Sequence, residues 1–292
     1  MTGTGGQLVK GSTAHVESRK HRVNDSDSDH DVSFFSLQSS QAQGVTSPRS
    51  HYRSHVVLNL RMTGTRHPLR VVVVGTGTDV GKTWVGAAVL TSLRSRGLQV
   101  SARKLVQSFD PGDSVESRDA NILALATGES PETVCPASLS LGVALAPPMA
   151  ATQLGVTPPS KADLLKFAAV GEECNVVFFE TAGGLRSPQA SDADAIDLCV
   201  ALEPDVVLLI SDSILGTLSN VRLCHEVLER QLEKSKVFVV LNDRSGNGEL
   251  LSRNINWLRD VDGFDVFDAS ELDGVVAYLE DESSRRNARE AT

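Results

Sequence analysis

Short apolar runs alternate with longer amphipathic stretches along the chain from residue 70 onward. Most positions in the apolar runs are hydrophobic whichever way they face, which is typical of strands covered on both sides in a parallel sheet. We expect five such strands, at residues 71–74, 100–104, 175–180, 205–210 and 236–241.

The stretches between these runs carry apolar residues at helical spacing, and two of them end at a glycine, as helices commonly do. The predicted helices cover residues 82–96, 119–127, 161–169, 192–202 and 218–233. Alternation of strand and helix predicts βαβ units with right-handed crossovers. The expected fold is therefore a three-layer α/β fold with a mostly parallel sheet and helices on both faces. Ligands of such folds bind at the carboxyl ends of the strands.

The two ends of the chain lack this pattern. Residues 1–66 are rich in serine, histidine and other polar residues, so we expect a disordered N-terminal tail before a domain at 67–280. A short strand at 55–60 is the exception that we expect in the tail. The tetrapeptide MTGT opens the chain and recurs at Met62, which suggests a translation start at Met62. Residues 281–292 form a charged C-terminal tail, which we expect to be frayed.

The chain has 292 residues and a net charge of -9, and the excess of acidic residues lies after residue 61. An acidic surface repels a nucleic-acid backbone, so we expect no DNA or RNA partner. No apolar run approaches the roughly 20 residues that span a bilayer, and the N-terminus lacks the order of a signal peptide. We therefore expect a cytoplasmic protein without a membrane partner. Four widely spaced cysteines predict buried free thiols in a reducing compartment rather than a zinc site or a disulfide.

One segment carries a nucleotide-binding signature. The sequence GTGTDVGKT, Gly75 to Thr83, directly follows the run 71–74 and opens a predicted helix. A glycine-rich turn between a strand and a helix directs backbone N–H groups and the positive helix end at a phosphate. Lys82 can then reach the outer phosphates, and the Thr83 hydroxyl can bind a magnesium ion between them. The predicted nucleotide contacts in this loop are Gly77, Thr78, Asp79, Val80, Gly81, Lys82 and Thr83.

The loop has five residues between Gly75 and Gly81, one more than the usual phosphate loop. The extra residue brings Thr78 and Asp79 to the rim of the phosphate site. A carboxylate there repels bound polyphosphate unless magnesium or a cationic group of a second substrate lies close to it. An amine-bearing substrate is one way to resolve this repulsion. A turn or N-cap role is the simpler alternative for Asp79.

Polar residues also follow other predicted strands. Lys104 ends the second strand, where it can stabilise negative charge on a transferring group. Glu180 ends the third strand, just before glycines that let a ligand approach, and suits a magnesium ligand. The Asn242 amide, after the fifth strand, can bind a base. An ordinary residue at a strand end is the alternative for each of the three, and Asp119 alone also fits an acidic residue at a helix N-terminus.

Together these segments resemble the dethiobiotin synthetase family over roughly residues 70–245. The five-residue phosphate loop is the most specific part of the resemblance. The further matching segments are, in this order, KLVQS (104–108), Asp119, FETAGGL (179–185), GTLSN (216–220) and VLND (240–243). The resemblance implies a P-loop NTPase-like fold and an ATP-dependent ligase that uses Mg²⁺.

That family closes a ureido ring on 7,8-diaminononanoate with CO₂ and ATP, which gives dethiobiotin in biotin synthesis. One amine of the substrate becomes a carbamate, a carbamate oxygen attacks the γ-phosphate, and the second amine displaces phosphate from the mixed anhydride. The resemblance implies ATP, CO₂ or bicarbonate, and the diamine as partners of this chain. It also implies a homodimer in which the segment 216–220 completes the pocket of the neighbouring subunit.

The resemblance further assigns roles to single residues. The implied catalytic residues are Lys82, Lys104, Thr78 and Ser108. The two lysines carry the developing negative charge, and the two hydroxyl groups contact carbamate and phosphoryl oxygens. The implied magnesium ligands are Thr83, Asp119 and Glu180. The implied nucleotide contacts beyond the loop are Glu180, Gly183 and Asn242, of which Asn242 binds adenine.

The chain departs from the family pattern at four places. Leu105 stands where the family has proline, Thr181 where it has glycine, and Ser219-Asn220 where it has Asn-His. The segment 144–151 stands where a Ser-Pro-His element is common. Thr181 adds a Cβ at a position where glycine lets a ligand approach. These departures affect the diamine side of the predicted pocket more than the ATP side.

Two other functions are compatible with the same loop, because a fold and a phosphate loop do not fix the acceptor. One is a related P-loop ligase that activates another amine or carboxylate. The other is a nucleotide-binding regulator without turnover, although the presence of Lys82, Lys104 and all three magnesium candidates weighs against it.

Overall fold

A computed structural model describes residues 67–169 and 174–290 of the chain. The segment 1–66, with the strand expected at 55–60 and the alternative start at Met62, lies outside the described residues. The strands are β1 (Leu69–Gly75), β2 (Val100–Lys104), β3 (Gln107–Ser108), β4 (Ser140–Leu141), β5 (Val176–Glu180), β6 (Pro188–Ala190), β7 (Ala193–Asp194), β8 (Val206–Asp212), β9 (Lys236–Asn242) and β10 (Val266–Asp268).

The main sheet has six strands in the order β10-β9-β8-β1-β5-β2, and all neighbouring pairs are parallel. Its five long strands confirm the five predicted ones, whereas β10 was not predicted because three residues give too short an apolar pattern. Val71 to Val74 are all 0% exposed, which shows that β1 is covered on both faces. The connection that leaves β1 runs to β2 on one side, whereas the connection that leaves its neighbour β8 runs to β9 on the other side. The chain therefore reverses its direction across the sheet between β1 and β8. Ligand sites of α/β sheets form at such a reversal.

Nine helices lie in the described part of the chain, and two short 3₁₀ turns occur at Val115–Ser117 and Ala137–Leu139. The helices are α1 (Lys82–Ser95), α2 (Asp119–Thr127), α3 (Pro131–Val134), α4 (Pro147–Gln153), α5 (Lys161–Ala168), α6 (Ala195–Leu202), α7 (Thr217–Gln231), α8 (Gly248–Asp260) and α9 (Asp273–Glu290). All five predicted helices are confirmed within three residues at each end.

The helices form two layers. Helix α1 contacts α2 and α9, and it packs on β1 and β5. Helices α6, α7 and α8 follow strands that step across the sheet in the opposite direction to the step from β1 to β2. Because these crossovers are right-handed, α6, α7 and α8 cover the face opposite to α1. The predicted three-layer fold is therefore confirmed.

Two helix boundaries follow from side-chain caps. The Ser160 hydroxyl accepts a hydrogen bond from the Asp163 N–H, and the Asp163 carboxylate accepts one from the Ser160 N–H, so α5 begins with a capping box. Asp194 and Asp197 form the same arrangement at α6. The α6 helix therefore starts at Ala195 rather than at residue 192.

The prediction of a frayed C-terminal tail was wrong for residues 281–290, because α9 continues as a helix to Glu290. Ser283 is 3% exposed, and the Arg286 guanidinium pairs with the Asp205 carboxylate just before β8. This segment is highly charged, but one face of its helix still packs on the domain.

All four cysteines are free thiols in the structure, as predicted. The predicted burial is confirmed for Cys135 and Cys199 and is wrong for Cys174 and Cys224, which are only half-buried.

None of the helices within residues 67–169 and 174–290 is long and apolar enough to cross a membrane.

The edge strand β2 is covered by a carboxylate. Glu129 accepts hydrogen bonds from the Ser101 hydroxyl (2.7 Å), the Ala102 N–H (2.9 Å) and the Arg103 guanidinium (2.9 Å). Burial alone would raise the pKa of the Glu129 carboxyl, but these hydrogen bonds outweigh burial and hold the pKa below its usual value. Glu129 thereby satisfies backbone that would otherwise leave the sheet edge open.

We predict that Glu129→Gln lowers the free energy of unfolding by about 1–2 kcal/mol at pH 7, because Gln cannot accept all three bonds. The pKa of Glu129 is lower in the folded state than in the unfolded state. Its stabilisation is therefore present above the unfolded pKa of about 4.3 and is lost as the pH falls through the folded pKa. Urea denaturation at pH 7 and pH 3 measures both effects, with the exposed Glu233→Gln as the control. A difference that persists unchanged at pH 3 would contradict this account.

Candidate active site

The phosphate loop connects the central strand β1 to α1. Gly81 is the N-cap of α1 and has a φ of 97°, in the left-handed region that glycine adopts without strain. A Cβ at Gly81 would also lie 2.1 Å from Asn242 Nδ2. The loop backbone is therefore pressed against the residue that ends β9, and only glycine fits at this position.

Asp79 is in a left-handed turn conformation, with a φ of 57°, and its side chain is exposed. The N-cap interpretation of Asp79 is wrong, because Gly81 is the N-cap of α1. The Asp79 carbonyl accepts a hydrogen bond from the Arg244 guanidinium.

Lys82 folds back onto the loop, where its ammonium donates to the Gly77 carbonyl over 3.0 Å. Burial, and after it the positive charge of Lys104, lowers the pKa of the Lys82 ammonium to about 8, although nearby carboxylates act in the opposite direction. A cation held this way at the helix N-terminus is poised to exchange a carbonyl for a phosphate oxygen.

Lys104 lies between two carboxylates. Its ammonium is 2.7 Å from Glu180 Oε1 and 2.7 Å from Asp119 Oδ2, and the side chains of Lys104 and Glu180 are only 2% and 1% exposed. The interpretation of these two residues as ordinary solvated strand ends is therefore wrong. Burial alone would lower the pKa of the Lys104 ammonium, but the two carboxylates outweigh burial and raise the pKa above its ordinary value.

Thr83 connects the charged group, formed by Lys104, Asp119 and Glu180, to the phosphate loop. Its hydroxyl lies 2.8 Å from Asp119 Oδ1 and 2.6 Å from Glu180 Oε1, and its one proton can be donated to either. The structure thus brings together Thr83, Lys104, Asp119 and Glu180 from four separate elements. Within the described residues, Glu180 Oε2 is buried and has no hydrogen-bond partner, so this carboxylate retains an unused acceptor.

A cleft of about 600 Å³ opens in front of the loop and the charged group. Nine of the predicted site residues line it, namely Thr78, Asp79, Gly81, Lys82, Thr83, Lys104, Ser108, Asp119 and Gly183. The Ser108 hydroxyl donates to the Leu145 carbonyl over 2.6 Å, which ties the segment 144–147 to the same cleft.

Four predicted site residues are not part of the cleft lining. The Gly77 carbonyl accepts from Lys82, Val80 is buried under the loop, and Glu180 lies behind Lys104. Asn242 donates its amide to the Val80 carbonyl over 3.1 Å. In this structure Asn242 therefore holds the phosphate loop, and its contact with a base remains a prediction.

Residues that the sequence pattern did not single out complete the site. Gln189 is 0% exposed, and its amide bonds both the N–H and the carbonyl of Ala182, over 2.8 and 2.7 Å. It thereby fixes the loop that carries Gly183. The Arg118 guanidinium lies in the cleft, 4.1 Å over the ring of Phe109. Arg244 could have been predicted as a site residue because it follows Asn242 by two positions. No pattern in the sequence indicates a role for Gln189.

Two of the residues that depart from the family pattern are buried in the protein interior. Leu105 is 0% exposed and belongs to the core. Thr181 is also 0% exposed, and its hydroxyl donates to the Val73 carbonyl over 3.3 Å. Neither side chain lines the cleft, so neither narrows it.

We predict that Gly75→Ala weakens ATP binding by roughly tenfold or more, since an overpacked site costs about 1–3 kcal/mol. A Cβ at Gly75 would lie 2.8 Å from the Gly77 carbonyl oxygen and 3.0 Å from Lys82 Nζ, which forces the loop to shift. Calorimetric titration with ATP measures the effect. Gly248→Ala is the matched control, because its Cβ would meet nothing within 4 Å. Equal affinity of the two variants would show that the loop tolerates the shift.

Comparison with known proteins agrees with this geometry. A family model described as an AAA domain matches residues 69–279. The chain is similar to the ATP-dependent dethiobiotin synthetase BioD of Caulobacter vibrioides, with 38% identity over 53% of this chain and 72% of that protein. It is also similar to BioD of Haloferax mediterranei, with 32% identity over 70% of this chain and 84% of that protein. The match to BioD of Xanthomonas axonopodis has 33% identity over 54% of this chain and 70% of that protein. The chain belongs to the dethiobiotin synthetase family.

Proposed function

We propose that the chain is an ATP-dependent dethiobiotin synthetase, which closes a ureido ring on 7,8-diaminononanoate with CO₂. Family membership supports this function. The observation that carries it in the structure is the pair Lys82 and Lys104, which lie at the wall of one cleft beside the five-residue phosphate loop. A phosphoryl group and a second substrate can therefore meet there.

The ATP phosphates are proposed to lie on the backbone N–H groups at the start of α1. These N–H groups and the positive end of the helix attract the polyphosphate. Lys82 then exchanges its Gly77 carbonyl for a phosphate oxygen, which is the movement that its position on the loop allows.

The reaction is proposed to proceed in two steps after one amine has become a carbamate. A carbamate oxygen attacks the γ-phosphorus, the bond from that phosphorus to the bridging oxygen breaks, and ADP leaves. The second amine then attacks the carbamoyl carbon, loses a proton and displaces phosphate together with the carbamate oxygen. Lys82 and Lys104 stabilise the negative charge that develops on the phosphoryl oxygens. Thr78 and Ser108 also line the cleft. They are proposed to contact the carbamate and phosphoryl oxygens.

The charged group fits a magnesium ion, because Thr83, Asp119 and Glu180 offer the oxygen donors that Mg²⁺ prefers. The buried Glu180 Oε2 without a hydrogen-bond partner in the described part of the chain supports this fit. Bound there, the ion would neutralise phosphate charge. The Lys104 ammonium lies between two of these donors, the Asp119 and Glu180 carboxylates.

The amine end of the diamine is proposed to lie near Asp79, whose exposed carboxylate at the rim of the cleft attracts a cation. This arrangement resolves the repulsion between Asp79 and polyphosphate. Asn242 is proposed to reach adenine once nucleotide occupies the loop.

A homodimer is proposed as the functional unit. Ile214 and Leu215 are 49% and 86% exposed in the loop just before α7. Burying these side chains against a second copy of the chain would remove apolar surface from water. The cytoplasm is the proposed compartment.

The proposal predicts that phosphate release from ATP requires both the diamine and bicarbonate. Release assays with each component omitted in turn provide the test. Release that is independent of the diamine would point to another acceptor, and ATP binding without any release would point to a regulator.

We predict that Lys104→Met abolishes this turnover while ATP still binds. The substitution leaves Asp119 and Glu180 without their cation, which we expect to lower stability by about 3–5 kcal/mol. Circular dichroism at the assay temperature therefore accompanies the rate and binding measurements. Lys234→Met, at an exposed lysine, is the matched control. Near-normal turnover by folded Lys104→Met would remove Lys104 from the catalytic set.

A further inference from the structure

The turn at 182–184, which follows β5, lies against the phosphate loop. Gly183 lines the cleft and has a φ of 64°. A Cβ at Gly183 would lie 3.6 Å from the Thr78 hydroxyl oxygen, and a Cβ at Gly184 would lie 3.1 Å from the Thr76 carbonyl oxygen. The position of this turn therefore determines how the cleft is shaped at the rim of the phosphate loop.

Gln189 holds this turn with all the hydrogen bonds of its side-chain amide. The amide oxygen accepts from the Ala182 N–H over 2.8 Å, and the amide nitrogen donates to the Ala182 carbonyl over 2.7 Å. The nitrogen also donates to the Ser187 carbonyl over 3.0 Å. Gln189 lies on β6, is 0% exposed and does not line the cleft. It can therefore act on a ligand in the cleft only through the turn.

Side-chain packing contributes little to the conformation of the turn, because its three residues are an alanine and two glycines. Glycine adopts left-handed and right-handed backbone conformations with similar ease, so these residues do not select one conformation by themselves. Polar contacts supply the selection. The Ser187 hydroxyl accepts from the Gly184 N–H over 2.8 Å, and Gln189 bonds both peptide groups of Ala182. The turn therefore depends on these two side chains.

These contacts use the two outer N–H groups of the turn and leave the middle one available. The first and last N–H groups bond the Gln189 amide and the Ser187 hydroxyl. The Gly183 N–H between them makes no hydrogen bond to the residues that the structure describes. A backbone N–H at the wall of a cleft can donate to an oxygen of a bound ligand, and such a donor is most effective when it is fixed before the reaction.

We propose that Gln189 is a positioning residue for phosphoryl transfer, because its amide fixes the turn that offers the Gly183 N–H to the reacting oxygens beside Thr78. The proposal rests on the proposed function, since it takes the carbamate and the γ-phosphate to meet in this cleft. The hydrogen bonds of Gln189 go to the turn and to Ser187, not to the phosphate loop. Loss of the amide is therefore expected to slow turnover and to leave nucleotide binding at the loop intact.

Gln189→Met removes the amide and keeps a side chain of similar length. With saturating ATP, 7,8-diaminononanoate and bicarbonate, we expect it to lower kcat for phosphate release by about tenfold to a hundredfold, as misplacing a reacting group by about 1 Å does. Its affinity for ADP with magnesium, measured by calorimetric titration, is expected to stay within about twofold of wild type. Circular dichroism checks folding, and Gln231→Met, at an exposed glutamine, is the matched control.

Gln189→Glu tests whether the turn needs a hydrogen-bond donor at this position. A protonated carboxyl can donate to the Ala182 carbonyl and accept from the Ala182 N–H, whereas a carboxylate can only accept. Burial raises the pKa of a carboxyl introduced here. We therefore expect kcat of Gln189→Glu, relative to wild type, to fall as the pH rises through that pKa, by up to about tenfold per pH unit. Circular dichroism and ADP titration at each pH accompany the rates.

Each variant tests the proposal on its own if the other does not fold. Near-normal kcat in folded Gln189→Met, or equal losses of kcat and of ADP affinity, would overturn the positioning role and leave the proposed function intact. A pH-independent ratio of kcat values for folded Gln189→Glu would also overturn it. Wild-type protein that shows no diamine-dependent phosphate release would overturn the proposed function and the positioning role together.

Discussion

The burial of Lys104 between Asp119 and Glu180 is the constraint on which the site depends. An ammonium that is 2% exposed requires compensating charge, and both carboxylates lie 2.7 Å from it. Removing one partner of such a group typically costs about 3–5 kcal/mol. The end of β2, the end of β5 and the start of α2 must therefore remain together. Thr83 extends this requirement to α1, because its hydroxyl bonds the same carboxylates.

The sheet topology makes this convergence possible. β1 pairs with β5 and β8, and β5 also pairs with β2, all in parallel. The carboxyl ends of three neighbouring strands therefore meet at the edge where the phosphate loop begins. The glycines at this edge allow close approach of separate segments, since a Cβ at Gly184 would lie 3.1 Å from the Thr76 carbonyl oxygen. The loop after β5 thus supports the phosphate loop directly.

Most of this arrangement could be predicted from the sequence because its elements have local signatures. Apolar runs gave the five long strands, the glycine pattern gave the loop, and parallel strand ends implied that Lys104 and Glu180 would approach Lys82. The position of Asp119 beside Thr83 and Glu180 followed only from the family resemblance.

The remaining features depend on contacts that leave no local pattern. Asn242 holds Val80, 162 positions earlier in the chain. Gln189 fixes the loop at Ala182 by amide geometry that no spacing rule describes. Helix α9 continues through charged residues because one of its faces, which includes Ser283 and Arg286, packs on the domain. Leu105 and Thr181 departed from the family pattern, yet their burial could be seen only in the folded chain.

The central claim is that a carbamate attacks ATP beside Lys82 and Lys104. The most direct test follows one oxygen atom from CO₂ to the released phosphate. The reaction would be run briefly with ATP, magnesium, the diamine and ¹⁸O-labelled CO₂ in unlabelled water, and the released phosphate analysed by mass spectrometry. The proposed mixed anhydride predicts one ¹⁸O atom in each phosphate, because the second amine displaces the carbamate oxygen with it. Phosphate that carries only unlabelled oxygen would mean that water attacks ATP, and would contradict the account.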